Sequence, residues 1–191
     1  MIITPRVREN AIARLEPLTE AHREELRPLA DEAELWTLTS LRGDGEHFDP
    51  WFDLMLDNTL SGQQISHLVR RQADGAAVGH SAWLSLAPAH KRLEIGWTWY
   101  GRTARGTAIN PAAKLLLLAG AFDAGAERVE LKTHHLNARS QAAMTKMGAT
   151  REGTLRRHLL CWTGEWRDTV FFSVLKAEWP AVKAGLEARL A

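Results

Sequence analysis

One cysteine, Cys161, stands among 191 residues, which excludes an internal disulfide and any metal site built from several thiolates. A single-sign excess of charge is missing too. The 24 Lys and Arg meet 23 Asp and Glu, for a formal net charge of +1, whereas a nucleic-acid binder carries a marked basic excess or stripe. The best basic cluster, "TREGTLRRH", is short, so no nucleic-acid partner is expected. No apolar run approaches the ~20 residues that span a bilayer, and no membrane partner is expected either. The first residues, "MIITPRVRENAIARLEPL", lack the basic-then-apolar order of a secretory signal, which predicts a cytoplasmic protein. No repeat, linker or low-complexity tract divides the chain, and its length suits a single domain, residues 1–191. Tryptophan, by contrast, is abundant: there are eight. Several stand beside polar strand residues, where aromatics serve a core or line a ligand cleft.

Local patterns predict a mixed order of elements. A short strand around Ala13–Leu15 precedes a helix that Thr19 caps and that runs to about Ala30. In "HFDPWFDLMLDNTLSG", Asp49 before Pro50 reads as a cap followed by a helix, and Gly62 as its stop. Two strands joined by "ADG" form a hairpin. In "LEIGWTWY" the alternation puts Leu93, Ile95, Trp97 and Trp99 on one face and Glu94, Gly96, Thr98 and Tyr100 on the other. An apolar helix follows "GRTARGTAIN", then a strand through "RVELKTH", a helix ended by Gly148, a hairpin around "WTGEW" and an amphipathic C-terminal helix. Early hairpins, one strand–helix–strand crossover and a late hairpin argue for one mixed sheet with helices on both faces, in the α/β (α+β) class.

"GRTARGTAIN" carries the first functional signal. Small residues between a strand and a helix let backbone N–H groups face a phosphate. The loop has neither the Gly-Lys-Ser/Thr of a P-loop nor G-x-G-x-x-G, and by itself it is also compatible with a plain turn. Downstream lies "NARSQAAMTKMGATREGTLRRH". Taken in order, "EIGW" from Glu94, "TARGTA" from Thr103, "NARS" from Asn137, Gly148 and "EGTLR" from Glu152 resemble the motifs of the GNAT superfamily of acetyl-CoA-dependent N-acetyltransferases. They are most similar to the RimJ/RimL-like branch, which includes the ribosomal-protein N-terminal acetyltransferases. The resemblance spans about Val78 to Leu175. One departure is Thr103, where the branch has Gln or Arg, with Arg102 and Arg105 on either side.

The resemblance implies the GNAT fold, a largely antiparallel twisted sheet of about seven strands, and acetyl-CoA as co-substrate, with no metal. For the coenzyme it implies Trp97, Thr98 and Trp99 on the strand, Arg102, Arg105, Gly106, Thr107, Ala108, Ile109 and Asn110 in the loop and helix start, and Asn137 beyond. Acetyl transfer needs a neutral amine, a donor to the carbonyl oxygen and a proton for the leaving thiolate. Carried over, Glu94 is the general base, acting directly or through water. Ser140 is the acid, and an N–H near Trp97–Thr98 is the oxyanion donor. The acceptor is an amine, on a protein N-terminus or a small molecule, and a homodimer is implied.

Plainer roles fit the same residues. Glu94 suits a solvated strand face, Ser140 and Asn137 suit helix caps, and His134 and His135 suit a strand end. Arg156, Arg157 and His158 suit a solvated strand face too. Trp36, Trp51 and Phe52 fall in the early helices, as wall of an acceptor cleft or as core. Two other functions remain open to the sequence: a non-catalytic acyl-CoA-binding module and a nicotinamide-dependent oxidoreductase.

Overall fold

The computed structural model describes residues 1–191. In chain order the elements are β1 (Arg8–Glu9), β2 (Ala13–Pro17), α1 (Arg23–Ala30), α2 (Phe48–Leu60), β3 (Ile65–Arg71), β4 (Ala77–Ala87) and β5 (Arg92–Tyr100). There follow α3 (Ile109–Asp123), β6 (Arg128–His134), α4 (Ala138–Met147), β7 (Thr150–Leu160), β8 (Trp166–Leu175) and α5 (Trp179–Ala188). The strands form one sheet in the order β1-β2-β3-β4-β5-β6-β8-β7. That is eight strands where about seven are expected. The extra one is the two-residue β1, folded back on β2 by Asn10, whose Oδ1 accepts the amides of Ile12 and Ala13.

Every neighbouring pair is antiparallel except β5 and β6, which the α3 crossover makes parallel. One parallel pair is too little for the doubly wound sheet of a dinucleotide-binding domain. Adjacent residues on a strand point to opposite faces, and the core divides accordingly. Val69, Leu93, Leu131 and Phe172 join α3, α4 and α5 on one face, while Leu68 joins α1 and α2 on the other. Helix α3 is apolar nearly all round because it is covered nearly all round. Ala113, Leu117 and Ala121 meet the sheet, and Phe122 stacks on Trp179 at the start of α5.

Two local expectations need correcting. Helix α2 begins at Phe48, after a short 3-10 turn from Gly45, so Asp49 lies in its first turn and does not cap it. Its carboxylate instead bridges Arg23 and Arg27 of α1, each at 2.8 Å, and Pro50 occupies a first-turn position where no N–H is needed. The second correction concerns β5. His80 pairs with Trp99 but Ala82 pairs with Gly96, so Trp97 and Thr98 together oppose Ser81. This is a β-bulge, and an extra residue reverses the facing of everything beyond it. Tyr100, not Trp99, therefore joins Leu93 and Ile95, whereas Trp97 and Trp99 pack against α1 and α2.

Candidate active site

The parallel pairing of β5 with β6 stops after Leu93↔Val129 and Glu94↔Glu130. Past that point β6 continues against β8, and β5 continues against β4 alone. The two strands have splayed, which frees the inner backbone edge of β5 from Ile95 onward for an amide-containing ligand.

The bulge at the mouth of this gap is held from both faces. Trp97 adopts a left-handed φ of 48°, and its carbonyl accepts a hydrogen bond from His80 Nδ1 at 2.8 Å. On the α3 face, Lys114 Nζ donates to Thr98 Oγ1 at 2.7 Å, and Thr98 Oγ1 lies 2.7 Å from Ser81 Oγ. Lys114 is buried. Burial lowers its pKa to about 7, against the pull of Glu94. Sequence reasoning missed this lysine, although one signal was present: it is the single charge in the apolar run "PAAKLLLLAG".

Beyond β5, the loop makes a 3-10 turn, Arg102–Ala104, and then enters α3. The amides of Ala104 and Arg105 turn back onto Gly101 and Arg102, and Ile109 N donates to Thr107 Oγ1. Those of Gly106, Thr107 and Ala108 have no acceptor in the protein. Gly106 sits at φ +75°, and a Cβ there would meet nothing within 4 Å. Three adjacent unpaired N–H groups at a helix N-terminus, with open space in front, fit a diphosphate. The two arginines differ. Arg105 is half-buried, donating to Tyr100 O at 2.8 Å and to Glu32 Oε2 at 2.8 Å. The Arg102 side chain is 77% exposed and reaches the same carboxylate only at 3.4 Å, while its backbone N–H donates to Glu32 Oε1 at 3.2 Å. Asn110, the second residue of α3 and so within its first turn, completes this stretch.

Glu94 is not a solvated strand residue. It is 3% exposed, and its Oε2 pairs with Lys132 Nζ of β6 at 2.8 Å. Burial raises its carboxyl pKa, opposed by Lys132. Gly96 makes room for it, since a Cβ there would stand 3.0 Å from Glu94 Oε1. A buried carboxylate of raised basicity at the mouth of the splay is better suited to accept a proton than an ordinary exposed one.

Asn137 caps α4, its Oδ1 accepting Ser140 N at 2.9 Å, which leaves its amide N–H groups unused. Ser140 Oγ makes no hydrogen bond and is partly open to solvent. His134 Nδ1 accepts the amide of Leu136, so the neutral ring carries its proton on Nε2 and offers no lone pair there. Arg156 and Arg157 are exposed on β7. Trp36, Trp51 and Phe52 are fully buried. They form, with Trp99 and His80, an aromatic core beneath the site, not its wall.

A second layer that the sequence did not disclose is the segment from Asp31 to Asp44. At one end Glu32 holds Arg105. Further on, Trp36 O accepts Trp162 Nε1 at 2.7 Å, Leu38 O lies 3.5 Å from Arg167 Nη1, and Arg42 covers the Trp162 ring. The segment thus reaches from the phosphate-type loop to the β7–β8 hairpin.

Residues 13–150 match the family model of the acetyltransferase (GNAT) domain. A GCN5-related N-acetyltransferase from Brucella melitensis superposes with a TM-score of 0.91 at 30% identity, over 98% of this chain and 86% of that one. A candidate acetyltransferase from T. thermophilus gives 0.88 at 34% identity over 100% of both chains. Mycobacterium smegmatis RimJ, solved in complex with CoA-disulfide, gives 0.78 at 22% identity, over 96% of this chain and 92% of that one. None of the curated proteins matches the chain in sequence.

Proposed function

The chain belongs to the GNAT acetyltransferases, and on that premise we propose that it transfers acetyl from acetyl-CoA directly to a primary amine, on a protein N-terminus or a small molecule. The observation that carries this reading is Glu94, a buried carboxylate of raised basicity at the point where β5 leaves β6. Acetyl-CoA supplies the acyl group as a thioester. The free amides of Gly106, Thr107 and Ala108 bind its diphosphate, helped by the α3 dipole at Ile109 and Asn110. Arg102 adds the side-chain cation, because Arg105 is already engaged by Glu32 and Tyr100 O. The unpaired edge of β5, through the Trp97–Trp99 backbone, takes the peptide-like arm from one side, and the Asn137 amide takes it from the other.

Glu94 removes the proton of the attacking ammonium, directly or through water. Lys132 keeps the carboxylate ionised between turnovers. An amide N–H in the bulge at Trp97–Thr98 donates to the thioester oxygen as charge builds on it. Ser140 Oγ, free of other hydrogen bonds, passes its proton to the departing thiolate and takes up in its place the second proton that the acceptor nitrogen loses as the amide forms. We place this activity in the cytoplasm, in a single domain of residues 1–191, with no metal. The eleven-residue edge strand β7, with Leu155 and Leu160 exposed, pairs two copies into a homodimer. A monomeric mass by light scattering at micromolar concentration would remove the dimer from this reading.

The direct test is a screen of N-terminal peptides, amino acids, polyamines and aminoglycosides with acetyl-CoA, following free thiol and acetylated product together. Acyl transfer requires both signals with at least one amine. Thiol release no faster than hydrolysis across the whole screen refutes it.

A further inference from the structure

Arg167, near the start of β8, is the one buried arginine of the chain, at 7% exposure. Its residue parity on β8 is opposite to that of Val170, Phe172 and Val174, which pack with α3, so it projects on the same side as Glu94 and Lys132. Its Nε donates to Thr169 Oγ1 at 3.1 Å, Nη1 makes a long 3.5 Å contact with Leu38 O, and Nη2 makes no hydrogen bond. No carboxylate lies within ion-pair distance of it. Two other partly buried arginines are answered by carboxylates: Arg70 meets Glu16 and Glu25, and Arg128 meets Glu130 and Glu152. Arg8 also lacks a carboxylate, but its guanidinium lies over the Trp83 ring at 5.1 Å.

A guanidinium cannot shed its proton to escape burial, and a buried charge left without a partner is costly. The neighbourhood makes the imbalance sharper. Glu94, the anion within electrostatic reach, is committed to Lys132, and His134 and His158 lie within reach as well, both neutral or cationic groups. Donors in a planar fork, one of them unused, match the two oxygens of a carboxylate or phosphate.

We propose that the amine acceptor bears an anionic group, carboxylate or phosphate, and that Arg167 binds it while Glu94 faces the amine. This rests on the reading of Glu94 as the base. It makes Arg167 a determinant of acceptor choice and gives it no part in the proton transfers. The segment that carries Leu38 then closes over the anion, with its carbonyl already set against Nη1.

The experiment compares acceptors that differ in charge alone: glycine against glycinamide, and O-phosphoethanolamine against ethanolamine. Each is run with the wild type, Arg167→Met, Arg167→Lys and the exposed-site control Arg156→Met. The acetylated products of the same four amines are also titrated onto the coenzyme A complex by calorimetry. The anionic member of one pair should be preferred in kcat/KM and in product binding. Arg167→Met should lower its kcat/KM by roughly 10- to 100-fold, the scale of a charge-assisted hydrogen bond. Arg167→Lys should keep part of the preference, and Arg156→Met all of it. Which pair responds identifies the anion. Equal use and binding of charged and neutral members, binding of neither, or a preference that survives in Arg167→Met overturns the proposal. Anion binding that depends on Arg167, without thiol release for any amine, would instead keep the subsite and discard acyl transfer.

Discussion

Glu94 is where single-residue chemistry can be read most directly. If Glu94 takes the proton, as proposed, its raised pKa means that the ionised form this needs is lost at a higher pH than for an ordinary carboxylate. Activity should therefore fall, as pH is lowered, along a limb displaced upward from the usual carboxylate range. Lys132→Met removes the cation paired directly with the carboxylate, which offsets its burial, and should move this limb higher still. Glu94→Gln should lose the limb and ~10²-fold or more in turnover, with coenzyme A affinity intact. A profile of kcat/KM against pH for the three proteins decides the matter, and an unmoved limb in Lys132→Met would show that some other group sets it.

Lys114 offers a test of stability in place of rate. Its folded pKa, about 7, is depressed from 10.5, so between these values the unfolded chain binds more protons than the folded one. Stability from this group is then fully present above the unfolded pKa and is lost as pH falls through about 7. Relative to Lys114→Met, which leaves Thr98 without its donor, the wild type should gain stability as pH rises from neutrality into the alkaline range. Urea melts at a series of pH values measure it. A constant difference would mean that the amine is not depressed.

At the scale of elements, the loop into α3 and the bulge in β5 behave in opposite ways toward prediction. The loop is punctuated locally: Gly106 needs a positive φ, and the helix that follows is apolar throughout its middle save for Lys114. Helix α4 is equally local, bracketed by Asn137 and by Gly148 at φ 96°. Both are legible from neighbouring residues. The bulge is not, because nothing within "LEIGWTWY" breaks the period. Its causes come from elsewhere in the chain, in His80 on β4 and Lys114 on α3. Strict alternation therefore assigned Trp97 and Trp99 to the wrong face. The aromatic core beneath the site, the half-buried role of Arg105 and the segment from Asp31 to Asp44 were hidden for the same reason, since each rests on a partner distant in sequence.

The loop's own prediction uses a matched pair of substitutions. Gly106→Trp places a bulky side chain before three free amides and also strains a left-handed position. Gly75→Trp, in the β3–β4 turn at φ +70° with open space around it, carries the same strain of about 1–2 kcal/mol without touching the loop. Similar losses in Tm are expected for both. Coenzyme A affinity by calorimetry should fall only in the first, by roughly tenfold or more for lost hydrogen bonds to a charged group. Equal affinities would return the loop to the status of a turn.

For the molecule as a whole, the segment from Asp31 to Asp44 is the feature with the widest reach. It grips Arg105 beside the unpaired amides of Gly106, Thr107 and Ala108 with Glu32, and it meets the β7–β8 hairpin through Trp36 and Leu38. Because one continuous stretch makes both sets of contacts, we expect a conformational preference imposed at one end to be felt at the other. The consequence is kinetic. The donor should enter first, and its arrival should settle the ground on which the acceptor lands, giving a compulsory order of addition. Initial-rate patterns should then show a dead-end acceptor analogue as uncompetitive against acetyl-CoA, and Glu32→Gln should relax that pattern toward random order.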